Sequence, residues 1–177
     1  MNILAISGSL RAESSNTALL RAAARIASPG AHIVVYERLG ALPPFNPDLD
    51  REGDEPMPAV ATLRQEISAA GGLIISSPEY AHGVPGSLKN ALDWLVSYPD
   101  FVGKPVLLWN ASAAGGEHAQ ASLVEILKTM SARVLVGDSL LAPFLRKRLG
   151  PGAALTGEPA RRVAGSLAAL VAAASKP

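Results

Sequence analysis

The sequence predicts an α/β fold in which a parallel sheet is covered by helices on both faces. Five short apolar runs alternate with five segments of helical periodicity. This order favours parallel pairing, because each strand returns to the same edge through a helix. The strand-like runs are apolar throughout, which is typical of strands that are buried on both sides. With 177 residues, the chain is expected to form one domain over residues 1–177.

The first strand, the first helix and the second strand are each predicted by a different signal. Residues 2–7 form an apolar run that meets a turn at Gly8. Residues 15–27 carry their apolar side chains on one helical face, and Pro29-Gly30 ends that helix. Residues 32–37 are rich in β-branched side chains, which favour a strand.

A proline-rich stretch from Leu39 to Pro58 follows and shows no periodicity. A loop of this length in a compact domain is expected to be either a functional lip or a flexible flap. A group of acidic side chains in the loop favours a solvated flap; these are Asp48, Asp50, Glu52, Asp54 and Glu55. Pro58 is suited to the first turn of a helix through Ala70, where a missing N–H does no harm.

The remaining elements continue the alternation. Residues 73–77 form the third predicted strand, and a helix with buried leucines follows, with Pro85 in its first turn. Residues 104–112 form the fourth strand, and a glycine turn and a helix follow it. Residues 132–137 form the fifth strand, and the final helix begins near Glu158.

Three loops leave the carboxyl ends of the predicted strands, where open parallel sheets bind ligands. The loop after the first strand places hydroxyl side chains and Arg11 directly before a helix. A helix N-terminus and an arginine together favour a terminal monophosphate. The loop lacks the spacings G-x-x-x-x-G-K-[ST] and G-x-G-x-x-G, which disfavours a triphosphate or a dinucleotide. The alternative is that one of Ser14, Ser15 and Asn16 only caps the helix.

The loop after the third strand has the composition of a shelf for a planar ring. Pro78 makes the chain stiff, Tyr80 offers a flat face, and Gly83 and Gly86 allow close approach to the backbone. A capped turn with an exposed tyrosine explains the same residues equally well. The loop after the fourth strand contains Gly115-Gly116 and allows either a ring contact or a simple tight turn.

Composition narrows the possible functions. The net charge of +1 disfavours a nucleic-acid partner and also the strongly acidic surface of an electron carrier. The absence of cysteine removes disulfides and thiolate chemistry. The three histidines are scattered, so no metal site is predicted. We expect a cytoplasmic protein with no membrane partner, since the longest apolar stretch is too short and too rich in alanine to span a bilayer.

Three segments together resemble the NADPH-dependent FMN reductases, a family that includes quinone, azo-dye and chromate reductases. They are GSLRAESSN, SPEYAHGVPGSLKNALDW and SAAGG. The resemblance implies a flavodoxin-like fold with strand order 2-1-3-4-5, FMN as cofactor, and NADPH or NADH as co-substrate. It also implies a small-molecule electron acceptor and a homodimer or homotetramer.

The same resemblance implies which residues hold FMN. The phosphate is expected in the first loop, and the ring is expected against the second and third loops. The implied contacts are Ser9, Arg11, Ser14, Ser15, Asn16, Thr17, Pro78, Glu79, Tyr80, Ala81, Ser112, Gly115 and Gly116.

The second motif departs from the family pattern at one position. The family often has asparagine directly after the tyrosine, whereas this chain has Ala81 followed by His82. His82 is therefore either a contact to the substrate or a turn residue, and we favour the turn. No catalytic side chain is predicted, because hydride chemistry belongs to the flavin. The alternative function is an FMN-binding electron carrier of the flavodoxin type.

Overall fold

The central sheet has five parallel strands in the order β2-β1-β3-β4-β5, as predicted. The structure is a computed structural model that describes residues 1–28, 30–112, 115–141, 145 and 149–175. The strands are β1 (Asn2–Ser7), β2 (His32–Tyr36), β3 (Gly72–Ser76), β4 (Pro105–Trp109) and β5 (Arg133–Val134). Pro29, predicted to help end the first helix, lies outside the described residues.

Five α-helices, counted over the described residues, cover the sheet in two layers. They are α1 (Ser15–Ile26), α2 (Pro58–Ala69), α3 (Gly86–Asp93), α4 (Glu117–Thr129) and α5 (Gly157–Ala174). The apolar stripes of α1 and α5 pack against one face of the sheet, and those of α2, α3 and α4 pack against the other. The predicted α/β fold class is therefore confirmed. None of the helices in the described ranges has the length and apolar character needed to cross a membrane.

Burial on both faces explains why the strands do not alternate apolar and polar residues. In β3, Ile74 faces the α1 and α5 layer while Ile75 faces the opposite layer, and both are almost fully buried. The register places Ser7 opposite Ser76 and Ser76 opposite Trp109. The carboxyl ends of β1, β3 and β4 therefore lie side by side at one edge of the sheet.

The fifth strand is shorter than its apolar sequence predicts. Within the predicted strand 132–137, only Arg133 and Val134 pair with β4, and the chain then leaves the ladder through the 3-10 turn Val136–Asp138. It returns at Leu140, whose amide donates to the carbonyl of Leu108 at 2.9 Å. Val136 belongs to the predicted strand but is 42% exposed in this turn, so an apolar run does not specify where an edge strand ends.

The loop from Leu39 to Met57 is fastened to α3. The side-chain amide of Asn90 accepts from the backbone N–H of Phe45 at 2.7 Å and donates to the carbonyl of Pro43 at 2.9 Å. The indole N–H of Trp94 donates to the same carbonyl at 2.9 Å, and its ring meets Phe45 edge-on at 5.0 Å. These contacts anchor the first half of the loop to the core.

The expectation of a solvated acidic flap is wrong for Asp50. Its side chain is only 10% exposed and forms an ion pair with Arg64 at 2.8 Å. Arg64 also donates to the carbonyl of Trp94 and to the hydroxyl of Ser97. Sequence composition could not separate Asp50 from the neighbouring acids, because its partner lies on a different element.

Candidate functional site

Buried polar side chains gather at the carboxyl edge of the sheet. Ser7, Ser76, Ser77 and Asn110 end or follow strands β1, β3 and β4, and all four are buried. Asn16, in the first turn of α1, is also buried and joins these strand ends. Its Oδ1 accepts from the hydroxyl of Ser76 at 2.9 Å and from the backbone N–H of Ala111 at 3.2 Å. We call these five buried polar residues the floor of the site, because the three loops lie directly above them.

The first loop is stabilised mainly by its own side chains. Ser14 caps α1 by accepting from the backbone N–H of Thr17 at 3.3 Å, as the capping alternative predicts. The hydroxyl of Thr17 donates to that of Ser7 at 2.8 Å, and the hydroxyl of Ser9 accepts from the N–H of Arg11 at 3.3 Å. Ser15 points elsewhere, since its hydroxyl donates to the carbonyl of Leu149 at 3.0 Å.

Gly8 allows this loop to lie directly against the end of β3. A Cβ atom added at Gly8 would stand 2.7 Å from the hydroxyl oxygen of Ser77 and 3.0 Å from a methyl group of Leu88. The backbone N–H of Gly8 donates to the carbonyl of Ser76 at 2.9 Å. A side chain at this position would therefore separate the first loop from the second.

A cleft of about 260 Å³ opens beside the first loop. Ser9, Arg11 and Thr17 line it, so half of the six residues predicted for a phosphate share one concave surface. Arg21 lies one turn after Thr17 on α1, also lines the cleft, and pairs with Glu37 at 2.8 Å. Ser14, Ser15 and Asn16 do not line it; their observed contacts hold the start of α1 in place.

Tyr36, at the end of β2, also lines this cleft. Its hydroxyl is buried and has no hydrogen-bond partner in the part of the chain that the structure describes. Burial, assisted by the nearby carboxylate of Glu66, raises the pKa of this phenol, while Arg38 acts in the opposite direction. The hydroxyl therefore keeps its proton at neutral pH.

The second loop contains a tight turn of two residues. The backbones of Tyr80 and Gly83 exchange two hydrogen bonds, at 3.1 and 2.9 Å. The central residues Ala81 and His82 have φ angles of 49° and 56°. Positive φ at both positions is the type I′ geometry, which favours asparagine and glycine. His82 therefore lies in a turn, which is compatible with the interpretation that we favoured, and Tyr80 is 55% exposed.

Glu79 connects the second loop to the third. Its Oε2 accepts from the backbone N–H of Ala119 at 2.8 Å, in the first turn of α4. Gly116 occupies the cap position of that helix and has no side chain to accept this bond. Glu79 therefore supplies the cap from a distant loop, and its negative charge is favourable at the helix N-terminus.

The third loop is supported from below by Asn110. The backbone N–H of Ser112 donates to Oδ1 of Asn110 at 2.8 Å. A Cβ atom added at Gly116 would stand 2.6 Å from Nδ2 of Asn110, so only glycine fits there without a shift. Gly115 has a φ angle of 97°, which also favours glycine. Ala113 and Ala114 of the third motif lie outside the described residues.

Two histidines that are far apart in sequence lie together in this site. The rings of His82 and His118 stack with their centroids 4.2 Å apart and their planes 12° apart. The histidines are scattered along the sequence, and their pairing was not predicted. A usable signal was their placement, because each follows one of two neighbouring strands and lies within two residues of a glycine. Among the described residues, no three His, Cys, Asp or Glu side chains could together hold a metal ion.

The two ends of this edge suit two kinds of chemical group. One end offers the N-terminus of α1, hydroxyl groups and Arg11, which fit an anion. The other end offers Tyr80, Ser112 and the glycines of the third loop, which fit a flat ring laid against the backbone. The donor set therefore fits a planar cofactor that carries a terminal phosphate.

Comparison with known proteins gives the same picture. The profile of the NADPH-dependent FMN reductase family matches residues 1–145. The quinone reductase of Escherichia coli strain K12 is 33% identical over 85% of this chain and 82% of its own length. An NAD(P)H-dependent FMN reductase of Pseudomonas aeruginosa is 38% identical over 72% of this chain and 69% of its own.

A solved structure shares the fold. FerB, a flavoenzyme NAD(P)H:(acceptor) oxidoreductase from Paracoccus denitrificans, superposes with a TM-score of 0.80 at 24% identity. The superposition covers 98% of this chain and 96% of FerB. The family match confirms the predicted enzyme class and the predicted cofactors, FMN with NAD(P)H. The chain belongs to the NADPH-dependent FMN reductase family.

Proposed function

We propose that the protein transfers electrons from NADPH or NADH, through FMN bound at the carboxyl edge of its sheet, to a small oxidised acceptor such as a quinone. One observation carries the proposal: the anion-type cleft and the two ring-type loops stand on one floor, joined by Asn16. The names of the relatives, quinone reductase and NAD(P)H-dependent FMN reductase, support this acceptor class and this electron donor.

At the phosphate end, the proposal assigns direct contacts to Ser9, Arg11 and Thr17, which line the cleft. Arg11 is exposed at its mouth, so its guanidinium is free to form charge-assisted hydrogen bonds with a phosphate. The first backbone N–H groups of α1 add donors and a partial positive charge. Ser14, Ser15 and Asn16 contribute by holding this helix start in place.

At the ring end, the proposal assigns backbone and face contacts to the second and third loops. These residues are Pro78, Tyr80, Ala81, Ser112, Gly115 and Gly116, with Glu79 behind them as a cap. Bound FMN supplies the hydride chemistry between NAD(P)H and the acceptor, and the protein supplies binding and orientation. We assign no general acid or base, since no described side chain at this edge is placed to relay a proton to a named atom.

Three further predictions stay proposals. We expect residues 1–177 to act as one domain and the protein to be cytoplasmic, in keeping with its lack of cysteine. We also expect a homodimer or homotetramer, as the family resemblance implies. Light scattering of the purified protein measures the oligomeric state directly, and a monomer would contradict this expectation.

The function is tested by mixing the purified protein with FMN, removing the excess and recording a visible spectrum. We expect bound yellow flavin and steady oxidation of NADPH or NADH when a quinone is present. An electron carrier would bind flavin but would not turn over NAD(P)H unaided. Protein that neither binds FMN nor oxidises NAD(P)H would refute the proposal.

The phosphate assignment is tested by Arg11→Ala. Loss of a charge-assisted contact is expected to weaken FMN binding about 10-fold to 100-fold. Riboflavin lacks the phosphate, so its affinity should not change. Arg51→Ala is a matched control, because Arg51 is exposed, pairs with Asp48 and lies outside the cleft lining. Equal FMN affinities in the Arg11 variant and the wild type would contradict the assignment of the phosphate to this cleft.

A further inference from the structure

We propose that His82 and His118 are positioning residues that clamp the second loop to the start of α4 and so set the spacing of the two sides of the ring end. This inference rests on the proposed function, because it concerns the geometry of the same site. Neither histidine is assigned a contact with FMN, and their effect acts through the loops that they join.

Two neighbouring contacts make up the clamp. The rings of His82 and His118 stack at 4.2 Å with nearly parallel planes. Beside them, the carboxylate of Glu79 accepts from the N–H of Ala119 at 2.8 Å. On α4, the two contacts use the adjacent residues His118 and Ala119. On the second loop, they use Glu79 and His82, the two ends of the segment 79–82. Such a pair of contacts fixes the orientation of the second loop as well as its distance from the helix.

The turn that carries His82 needs such support. Ala81 and His82 both have positive φ angles, and a residue with a Cβ atom is strained in that region. Strained backbone persists where the surrounding structure holds it, and it gathers at functional sites. Histidine tolerates this region better than most residues, and here its ring lies flat against a partner on α4.

The clamp has consequences for only one end of the site. Tyr80 precedes the turn, and Gly115 and Gly116 precede α4, so the clamped segments are the ones that would flank the ring. The first loop is held by its own hydrogen bonds and by Asn16, which do not involve either histidine. Loss of the stack should therefore weaken ring binding and leave phosphate binding as it was.

The test compares His118→Ala with His118→Phe in the full-length protein. The affinities of FMN and riboflavin are measured by flavin fluorescence, and kcat and KM are measured with NADPH and a quinone. We expect His118→Ala to lower the affinities for FMN and riboflavin about 3-fold to 10-fold, which corresponds to the interaction energy of an aromatic pair. The ratio of the two affinities should stay constant, because the phosphate contacts remain. His118→Phe keeps a flat ring and should stay within about 2-fold of the wild type.

Two further variants make the result decisive. His82→Ala should match His118→Ala, and the double variant should be no weaker than either single one, because all three lose the same stack. His32→Ala is the control, since His32 is exposed at the start of β2, outside this site.

Each outcome has one meaning. Riboflavin affinity unchanged in His118→Ala would overturn the clamp, and so would a His118→Phe variant as weak as the alanine one. A change in FMN affinity without a change in riboflavin affinity would also overturn it. Wild-type protein that binds neither flavin would instead refute the proposed function.

Discussion

The two ends of the candidate site are built in different ways. At the phosphate end, the hydrogen bonds are local in sequence: Ser14 caps its own helix and Thr17 bonds to Ser7. At the ring end, the contacts are long-range, because Glu79 reaches a helix 40 residues away and His82 stacks on His118. The hydrogen bonds that shape the first loop therefore lie mainly within one segment, although Ser15 and Gly8 also bond to Leu149 and Ser76, whereas the ring end exists only when two loops meet.

This difference implies that phosphate binding and ring binding depend on different parts of the structure. The start of α1 arranges most donors of the phosphate end, although residues of β2 line the same cleft. The ring end depends on the distance between two segments, so small changes in packing change its affinity. Comparing FMN with riboflavin distinguishes the two ends experimentally, since riboflavin lacks the phosphate and retains the ring.

The largest effect is expected for Asn16→Ala, because Asn16 serves both ends. Its loss leaves the hydroxyl of Ser76 and the N–H of Ala111 buried without an acceptor. We expect the free energy of unfolding, measured with urea, to fall by about 2–4 kcal/mol. Both FMN and riboflavin should bind more weakly, because the floor under both ends is altered.

Asn46→Ala is the matched control for this change. Asn46 is exposed, and its side chain accepts from the N–H of Asp48 at 2.9 Å as the cap of a short turn. Its loss should cost about 0.5–1 kcal/mol and leave flavin binding unchanged. If Asn16→Ala lowered the affinity for FMN but not the affinity for riboflavin, Asn16 would support only the phosphate end.

Gly116→Ala is the second-largest expected change, and it addresses the ring end alone. The new Cβ atom would stand 2.6 Å from Nδ2 of Asn110, whose side chain is almost fully buried and cannot move aside easily. Overpacking of this kind costs about 1–3 kcal/mol of unfolding free energy. The affinities for FMN and riboflavin should fall by the same factor, as measured by calorimetry with each flavin.

Gly165→Ala provides the control for a glycine-to-alanine change. Gly165 is exposed within α5, and a Cβ atom there would meet nothing within 4 Å. Alanine at this position should stabilise the helix by up to about 1 kcal/mol without affecting flavin binding. An unequal loss of FMN and riboflavin affinity in Gly116→Ala would place the third loop at the phosphate end.

The same contrast explains how much of the molecule could be predicted from its sequence. Strand β1 and helix α1 begin at the residues predicted, because apolar periodicity and capping residues are local signals. Strand β5 was predicted too long, since its length depends on how far β4 accompanies it. The buried pairing of Asp50 with Arg64 was missed for a similar reason, as the two residues belong to different elements.

In the site as well, local contacts could be predicted from the sequence and long-range contacts could not. The role of Ser14 as a helix cap was among the predicted alternatives, because the residues that it serves follow within one turn. The capping role of Glu79 and the partner of His82 were not predicted. Both depend on β3 and β4 being neighbours in the sheet, and on loop conformations that composition does not specify. The predicted strand order already makes β3 and β4 neighbours, but it does not give the loop conformations that bring these residues into contact.

The smallest expected effect is that of Ala81→Asn, which tests the one feature of the ring end that has a local cause. Ala81 has a φ angle of 49°, where asparagine is tolerated much better than alanine. We expect a gain of about 0.5–1 kcal/mol, which raises the melting temperature by about 1–4 °C. Ala81→Val should lower it, because a β-branched side chain fits this region poorly. If both variants melted at the wild-type temperature, the turn would carry no strain, and the ring end would owe its geometry to the contacts with α4 alone.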